Sequence, residues 1–214
     1  MYTRKRGFNL TMLLIIINIA VFIAIIALVG ALGEEFFYLV AVQPAAILAG
    51  QRLWTMITNI FVHASFLHLF VNMLSLYFLG NFLERLIGKK RLFWAFIIGG
   101  IVSAAFFVFL ASASQALIPA VGASGAIFCL AGILAIITPR VPVYVMFIPV
   151  AIPLWIGVVI ALVVMWIASI AAGLPIGNTA HLGGLVAGVV YGIYLRKKYS
   201  RKVHMLDKYF RRIH

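Results

Sequence analysis

The chain predicts an all-α membrane protein, a six-helix bundle with both termini in the cytoplasm, and three observations carry that prediction. First, of its 214 residues 65% are hydrophobic and 10% charged, against about 25% charged in an ordinary soluble domain, and mean hydropathy is +1.18. Second, the apolar residues are grouped in runs close to the roughly 20 residues that cross a bilayer core. Third, the 17 basic residues, against 4 acidic ones, are distributed with a strong bias along the chain.

The first span, about 8–31, follows Arg4, Lys5 and Arg6. It starts like a signal peptide, but it is longer than one and lacks a small-residue cleavage site, so it reads as a helix. Residues 32–65 form a long outer connection in which Glu34, Glu35, Arg52, Trp54 and His63 stand among apolar residues. Such a segment predicts short amphipathic or re-entrant helices at the interface. Further spans are read at 66–83, 92–110, 124–138, 154–171 and 179–195. Residues 111–123 connect on the outer side, and Pro139, Pro142, Pro149 and Pro153 break any helix over 139–153. No repeat divides the chain, so 1–214 reads as one domain: a membrane core of about 8–195 and a basic cytoplasmic tail, 196–214.

With six spans, the basic residues before the first, those between the second and third (Arg85, Lys89, Lys90, Arg91), Arg140 and the eight of the tail share one side, and Arg52 alone lies opposite. The positive-inside rule makes the crowded side cytoplasmic. The tail then reads as an anchor to anionic lipid headgroups rather than a nucleic-acid surface. An integral, multi-pass protein of the cell membrane is the expectation. Cys129, the single cysteine, falls within the fourth span and reads as a small core residue.

Four polar residues stand at membrane depth, where they are costly and call for a function. Ser124 lies 16 residues before Arg140, and His181 15 residues before Arg196. Asn72 and His68 lie 13 and 17 residues before Arg85. At 1.5 Å rise per residue the four stand about 20–25 Å above the cytoplasmic boundary, nearer the outer surface. His68 and Asn72, four apart, share a helix face. His181 shares a face with Gly184 and Gly188, the small-residue spacing that lets membrane helices approach closely. Ser124, Phe128, Ala131 and Ala135 form a mostly small face on the fourth span. Pressing these two faces together brings His181 to Ser124, with Phe128 beside the imidazole.

A serine hydroxyl becomes a useful nucleophile when a base takes its proton, and histidine does so near neutral pH. Ser124 opens a helix whose free N–H groups and positive dipole end suit a developing oxyanion, and His68 and Asn72 could add donors. The four acids, Glu34, Glu35, Glu84 and Asp207, all lie in loops or at the cytoplasmic side. A Ser–His dyad is therefore the reading, rather than a triad. His63 reads as structural, bonding loop backbone.

These residues, with His63, His68-Leu69-Phe70-Val71-Asn72, Gly122-Ala123-Ser124-Gly125 and Ala180-His181-Leu182-Gly183-Gly184 in this order, make the chain similar to the rhomboid intramembrane serine proteases, from about Trp54 to Gly188. The resemblance implies a six-transmembrane-helix rhomboid-like bundle in which Ser124 is the nucleophile and His181 the general base. It further implies an oxyanion hole of His68, Asn72 and the Ser124 backbone N–H, with Phe128, Gly122, Gly125, Gly184 and Gly188 in support. Also implied are hydrolysis of peptide bonds in or near transmembrane segments of single-span membrane proteins, no metal or cofactor, lateral substrate entry between the second and fifth helices, and a site open to the extracytoplasmic side. The chain departs from the family in reading Trp54-Thr55 where Trp-Arg is common, with Arg52 earlier. It also has Phe128 where a tyrosine often stacks on the histidine. Glu84 matches a structural glutamate. The competing readings are a catalytically silent relative that binds membrane clients and, more remotely, a small transporter.

Overall fold

The computed structural model describes residues 9–144, 150–171 and 177–211. Arg4, Lys5, Arg6, Pro149 and the last three residues of the tail lie outside the described residues. The structure is mostly helical. Its principal helices are α1 (Leu10–Leu32), α2 (Phe66–Ile87), α3 (Lys89–Phe109), α4 (Ser124–Ile137), α5 (Leu154–Ala171), α6 (Asn178–Lys198) and α7 (Ser200–Arg211). Of these, α1, α2, α3 and α5 are long and apolar enough to cross a membrane. Helix α4 is shorter, with 14 residues, and α6 has 21 but carries Asn178, His181 and several glycines.

Local chemistry sets the ends. Asn9 caps α1 by accepting from the Met12 N–H, and Ser65 caps α2 by accepting from the His68 N–H, each satisfying a donor the first turn leaves unpaired. Glu84 reinforces the start of α1. Its carboxylate accepts from the Leu10 and Thr11 N–H groups at 3.1 and 2.8 Å and from the Thr11 hydroxyl at 2.7 Å. A negative charge at a helix N-terminus is favourable, and Glu84 therefore has a structural task at the start of α1. Gly88, at φ +81°, ends α2 and lets α3 start at once. That is why α2 runs to Ile87 and α3 begins at Lys89, rather than stopping near 83 and starting near 92: helical hydrogen bonds continue past the point where the residues become polar. Inside α2, Leu76–Gly80 form a π-helical turn beside α1, where a Cβ on Gly80 would meet the Thr11 side chain.

Helix α4 is the axis of the bundle. Eleven of its 14 residues are buried, so its shortness is tolerated by contact with protein rather than lipid. Around it pack α3, α5 and α6, and one buried cluster runs from Leu14 of α1 through Phe96, Leu130 and Ile133 to Leu195 and Val203. The outer surfaces are apolar. Ile16, Ile23, Phe78, Trp94, Ile98 and Val190 are exposed, as suits helices whose solvent is the bilayer. The chain is an integral, multi-pass membrane protein.

The 32–65 connection contains three short helical turns, Glu35–Tyr38, Pro44–Leu48 and Thr55–Thr58. Arg52 ties them together, donating to the Tyr38 carbonyl at 2.6 Å and to Gln43 Oε1 at 2.5 Å, while the Trp54 indole donates to the Leu39 carbonyl. Arg52 thus keeps a structural role despite standing two residues before Trp54. In the proline-broken 139–153 segment, Pro142–Val143 pair antiparallel with Ile152–Pro153. The tail also differs from a simple solvated extension. Tyr199 ends α6 and α7 turns back to bury Val203 against the bundle, because its apolar residues recur at helical spacing among the cations.

Candidate active site

Close backbone approach builds the site. Along α6, Gly184 and Gly188 face α4 where a Cβ would collide with the carbonyl oxygens of Gly125 and Cys129. Only hydrogens fit there, and in lipid such contacts hold helices together through van der Waals packing rather than hydrophobic transfer. Gly125 in turn lies on Ser103 of α3. This contact sets His181, one turn before Gly184, against the first residue of α4.

The Ser124 hydroxyl and His181 Nε2 are 2.8 Å apart. His181 is 5% exposed. Its other ring nitrogen, Nδ1, is buried and has no hydrogen-bond partner among the described residues. Among the described residues no carboxylate orients the imidazole; packing does. The Phe128 ring, one turn into α4 from Ser124, stacks on it at 4.9 Å with an interplanar angle of 26°.

The backbone before Ser124 is held from the 32–65 connection. The Gly122 N–H donates to the Asn59 carbonyl at 2.8 Å. The Ala123 N–H points to His63 Nε2 at 3.5 Å. Gly122 has φ +126°, a backbone shape L side chains rarely adopt. His68 occupies the space a side chain would need. Its Nε2 lies 2.7 Å, and the Ser124 hydroxyl 3.7 Å, from the point where a Gly122 Cβ would stand. His63 and His68 meet edge to face at 5.1 Å. Asn72 is buried, and its amide donates to the His68 carbonyl at 3.0 Å. One of its two N–H groups is thus spent within its own helix, which ties Asn72 to His68 rather than directly to Ser124. Ser124, as the first residue of α4, carries a backbone N–H with no partner inside its helix.

Residues 50–198 match the family model of the Rhomboid domain. The chain belongs to the rhomboid family. It is similar to Rhomboid protein 1, mitochondrial, of Saccharomyces cerevisiae, with 30% identity over 153 residues covering 69% of this chain and 43% of that protein. RHOMBOID-like protein 5 of Arabidopsis thaliana is 32% identical over 164 residues, 75% of this chain and 50% of the relative. Rhomboid protease GluP of Bacillus subtilis is 28% identical over 180 residues, 83% and 33% respectively. The chain spans a third to a half of the length of these three relatives.

Within this rhomboid domain, the structure brings together Ser124, His181, Phe128 and His68, with Gly122, Gly125, Gly184 and Gly188 at the close contacts between them. Sequence reasoning missed Asn59, whose carbonyl fixes Gly122. It also left the reach of His63 to the residue before Ser124 unspecified. Backbone carbonyls leave no mark on residue type, so Asn59 carried no signal. Glu84 stays with α1, far along α2 from His68.

Proposed function

We propose that this rhomboid-family chain is an intramembrane serine endopeptidase that cleaves peptide bonds in or near transmembrane segments of single-span membrane proteins. The observation that carries the reading is the 2.8 Å contact between the Ser124 hydroxyl and His181 Nε2 at the buried start of α4.

The chemistry needs the neutral imidazole with its proton on Nδ1, so that Nε2 accepts the hydroxyl proton as Ser124 Oγ attacks the scissile carbonyl. The negative charge on the carbonyl oxygen falls to the Ser124 backbone N–H at the positive end of α4, with His68 and the second N–H of Asn72 as further donors. The tetrahedral intermediate collapses as protonated His181 gives its proton to the departing amine, leaving an acyl ester on Ser124. A water molecule, deprotonated by His181, then attacks the ester, and the returning proton frees the serine. A stacked ring does for orientation what an acid does in a triad; Phe128 fills that place, and the dyad works without metal or cofactor.

The topology that serves this chemistry has six spans, with α4 and α6 crossing inside the bundle, both termini cytoplasmic, and a site open to the extracytoplasmic side. The whole chain acts as one rhomboid domain with a basic tail, in the cell membrane. Lateral entry between α2 and α5 is supported by the loose hold on α5: its buried residues are Leu154, Gly157 and Val158, all near its start. The test is cleavage of a single-span reporter in membranes. Ser124→Ala or His181→Ala lowers cleavage by about 10³-fold or more while the protein still inserts. Cleavage by Ser124→Ala at the wild-type rate refutes the proposal and leaves client binding as the function.

A further inference from the structure

We propose that the cytoplasmic end of the bundle holds an anionic phospholipid, its phosphate taken by Arg91, Lys198 and Lys202 around Tyr199. Cations from α3 and α6 meet there on an uncharged ring, and Lys202 of α7 lines the same cleft. The Arg91 guanidinium donates to the Tyr199 hydroxyl at 2.6 Å and to the Ile87 carbonyl at 3.0 Å, and its carbon stands 5.1 Å from the Tyr199 ring centre. The Lys198 ammonium lies 5.9 Å from the same ring and donates to the Tyr194 hydroxyl at 2.8 Å. Among the described residues none of these partners is a counter-ion, so the like charges of Arg91 and Lys198 are gathered around neutral groups. Glu84 has both carboxylate oxygens engaged at the start of α1. The tail from Arg196 onward brings eight basic residues and one acid. The cluster calls for an anion.

The shape of the site selects which anion. A cleft of about 90 Å³ opens between the ends of α2 and α4 and the start of α7. Leu86, Ile137 and Leu206 give it apolar walls, and Arg91, Tyr199 and Lys202 line its polar side. Val203 fixes α7 across the bundle end, with Lys202 exposed. A free phosphate has no use for the apolar walls, whereas a phosphodiester with glycerol and acyl chains fills both halves. Basic pockets between helix ends at this leaflet are where anionic headgroups bind. Arg91 and Lys198 lie within residues 50–198 that match the family, and Lys202 of helix α7 lies beyond them. The inference rests on the cytoplasmic placement of this end in the proposed topology and is independent of the protease chemistry.

Native mass spectrometry of the purified full-length protein, with phosphatidylglycerol and phosphatidylcholine offered in equal amounts, tests the site without measuring cleavage. The expected result is selective retention of phosphatidylglycerol by the wild type and at least tenfold weaker retention by Arg91→Gln/Lys202→Gln. Lys202→Gln alone, on an exposed side chain, weakens retention about threefold and guards against a folding effect of Arg91. The charge-matched variant Lys197→Gln/Arg201→Gln retains the lipid as the wild type does. Equal loss in both double variants would show a diffuse basic surface and overturn the proposal, as would equal retention of the two lipids. Thermal stabilisation by millimolar inorganic phosphate equal to that by phosphatidylglycerol would overturn the choice of a lipid.

Discussion

Replacing Gly184 by alanine probes the contact that sets the dyad. Its Cβ would be driven into the carbonyl oxygen and carbonyl carbon of Gly125, closer than the 3.0 Å below which real Cβ contacts essentially never occur. The obstacle is backbone beside Ser124, so no side-chain rotation relieves it, and α4 and α6 must part by about 1 Å or more to regain van der Waals distance. Overpacking of this kind costs about 1–3 kcal/mol. The hydrogen bond between Ser124 and His181 lies one turn away and lengthens with the separation. A misplacement of about 1 Å lowers catalysis on the order of 10²-fold. The assay is kcat/KM on a single-span substrate in proteoliposomes beside a thermal melt of the same preparation. Gly30→Ala in α1, with nothing within 4 Å of the added Cβ, should keep the wild-type kcat/KM and melt no lower than the wild type, since alanine is the better helix former. A Gly184→Ala protein with wild-type kcat/KM and melting temperature would refute the claim that backbone contact between α4 and α6 positions the dyad.

Two further outcomes follow from the supports of the site. Glu84→Gln removes the charge that caps α1 and should lower stability by about 1 kcal/mol, seen as a lower melting temperature with cleavage retained at permissive temperature. Burial and the neighbouring His68 push the His63 imidazole down to about 4, below its ordinary 6.5. The unfolded chain therefore binds this proton more readily than the folded one. Stability is complete above pH 6.5 and declines as pH falls toward 4, by up to about 3 kcal/mol for the 2.5-unit difference. Unfolding from pH 4.5 to 7.5 should show this decline in the wild type and a shallower one in His63→Gln. Equal slopes would refute the assignment.

The sequence marks the fold where a residue type has one physical use. Apolar runs mark helices, and counting the rise from the cations that flank them sets Ser124 and His181 at one depth. Helical phase places the glycines of α6 on the face that carries His181. The spacing Gly184-x-x-x-Gly188 shows that a neighbour comes close there, and the structure identifies that neighbour as α4. Less legible are features made by backbone geometry. The π turn at Leu76–Gly80 arises where α2 passes Thr11, a contact 65 or more residues away in sequence. The two-residue pairing of Pro142–Val143 with Ile152–Pro153 lies in a segment whose prolines signal only that a helix stops. The fold of α7 across the bundle was obscured because a cation-rich tail reads as solvated until the buried place of Val203 and the stacking of Arg91 on Tyr199 are known. At the site, Ser124 and His181 stand out by type. Asn59 contributes only a carbonyl and could not be found that way.

The most direct measurement of the central claim is covalent labelling of the membrane-embedded protein with a fluorophosphonate, followed by mass spectrometry of the modified peptide. A hydroxyl activated by His181 should be labelled at Ser124 alone among the serines, and labelling should vanish in His181→Ala. Absence of label at Ser124 in folded protein, or undiminished label in His181→Ala, would contradict the account.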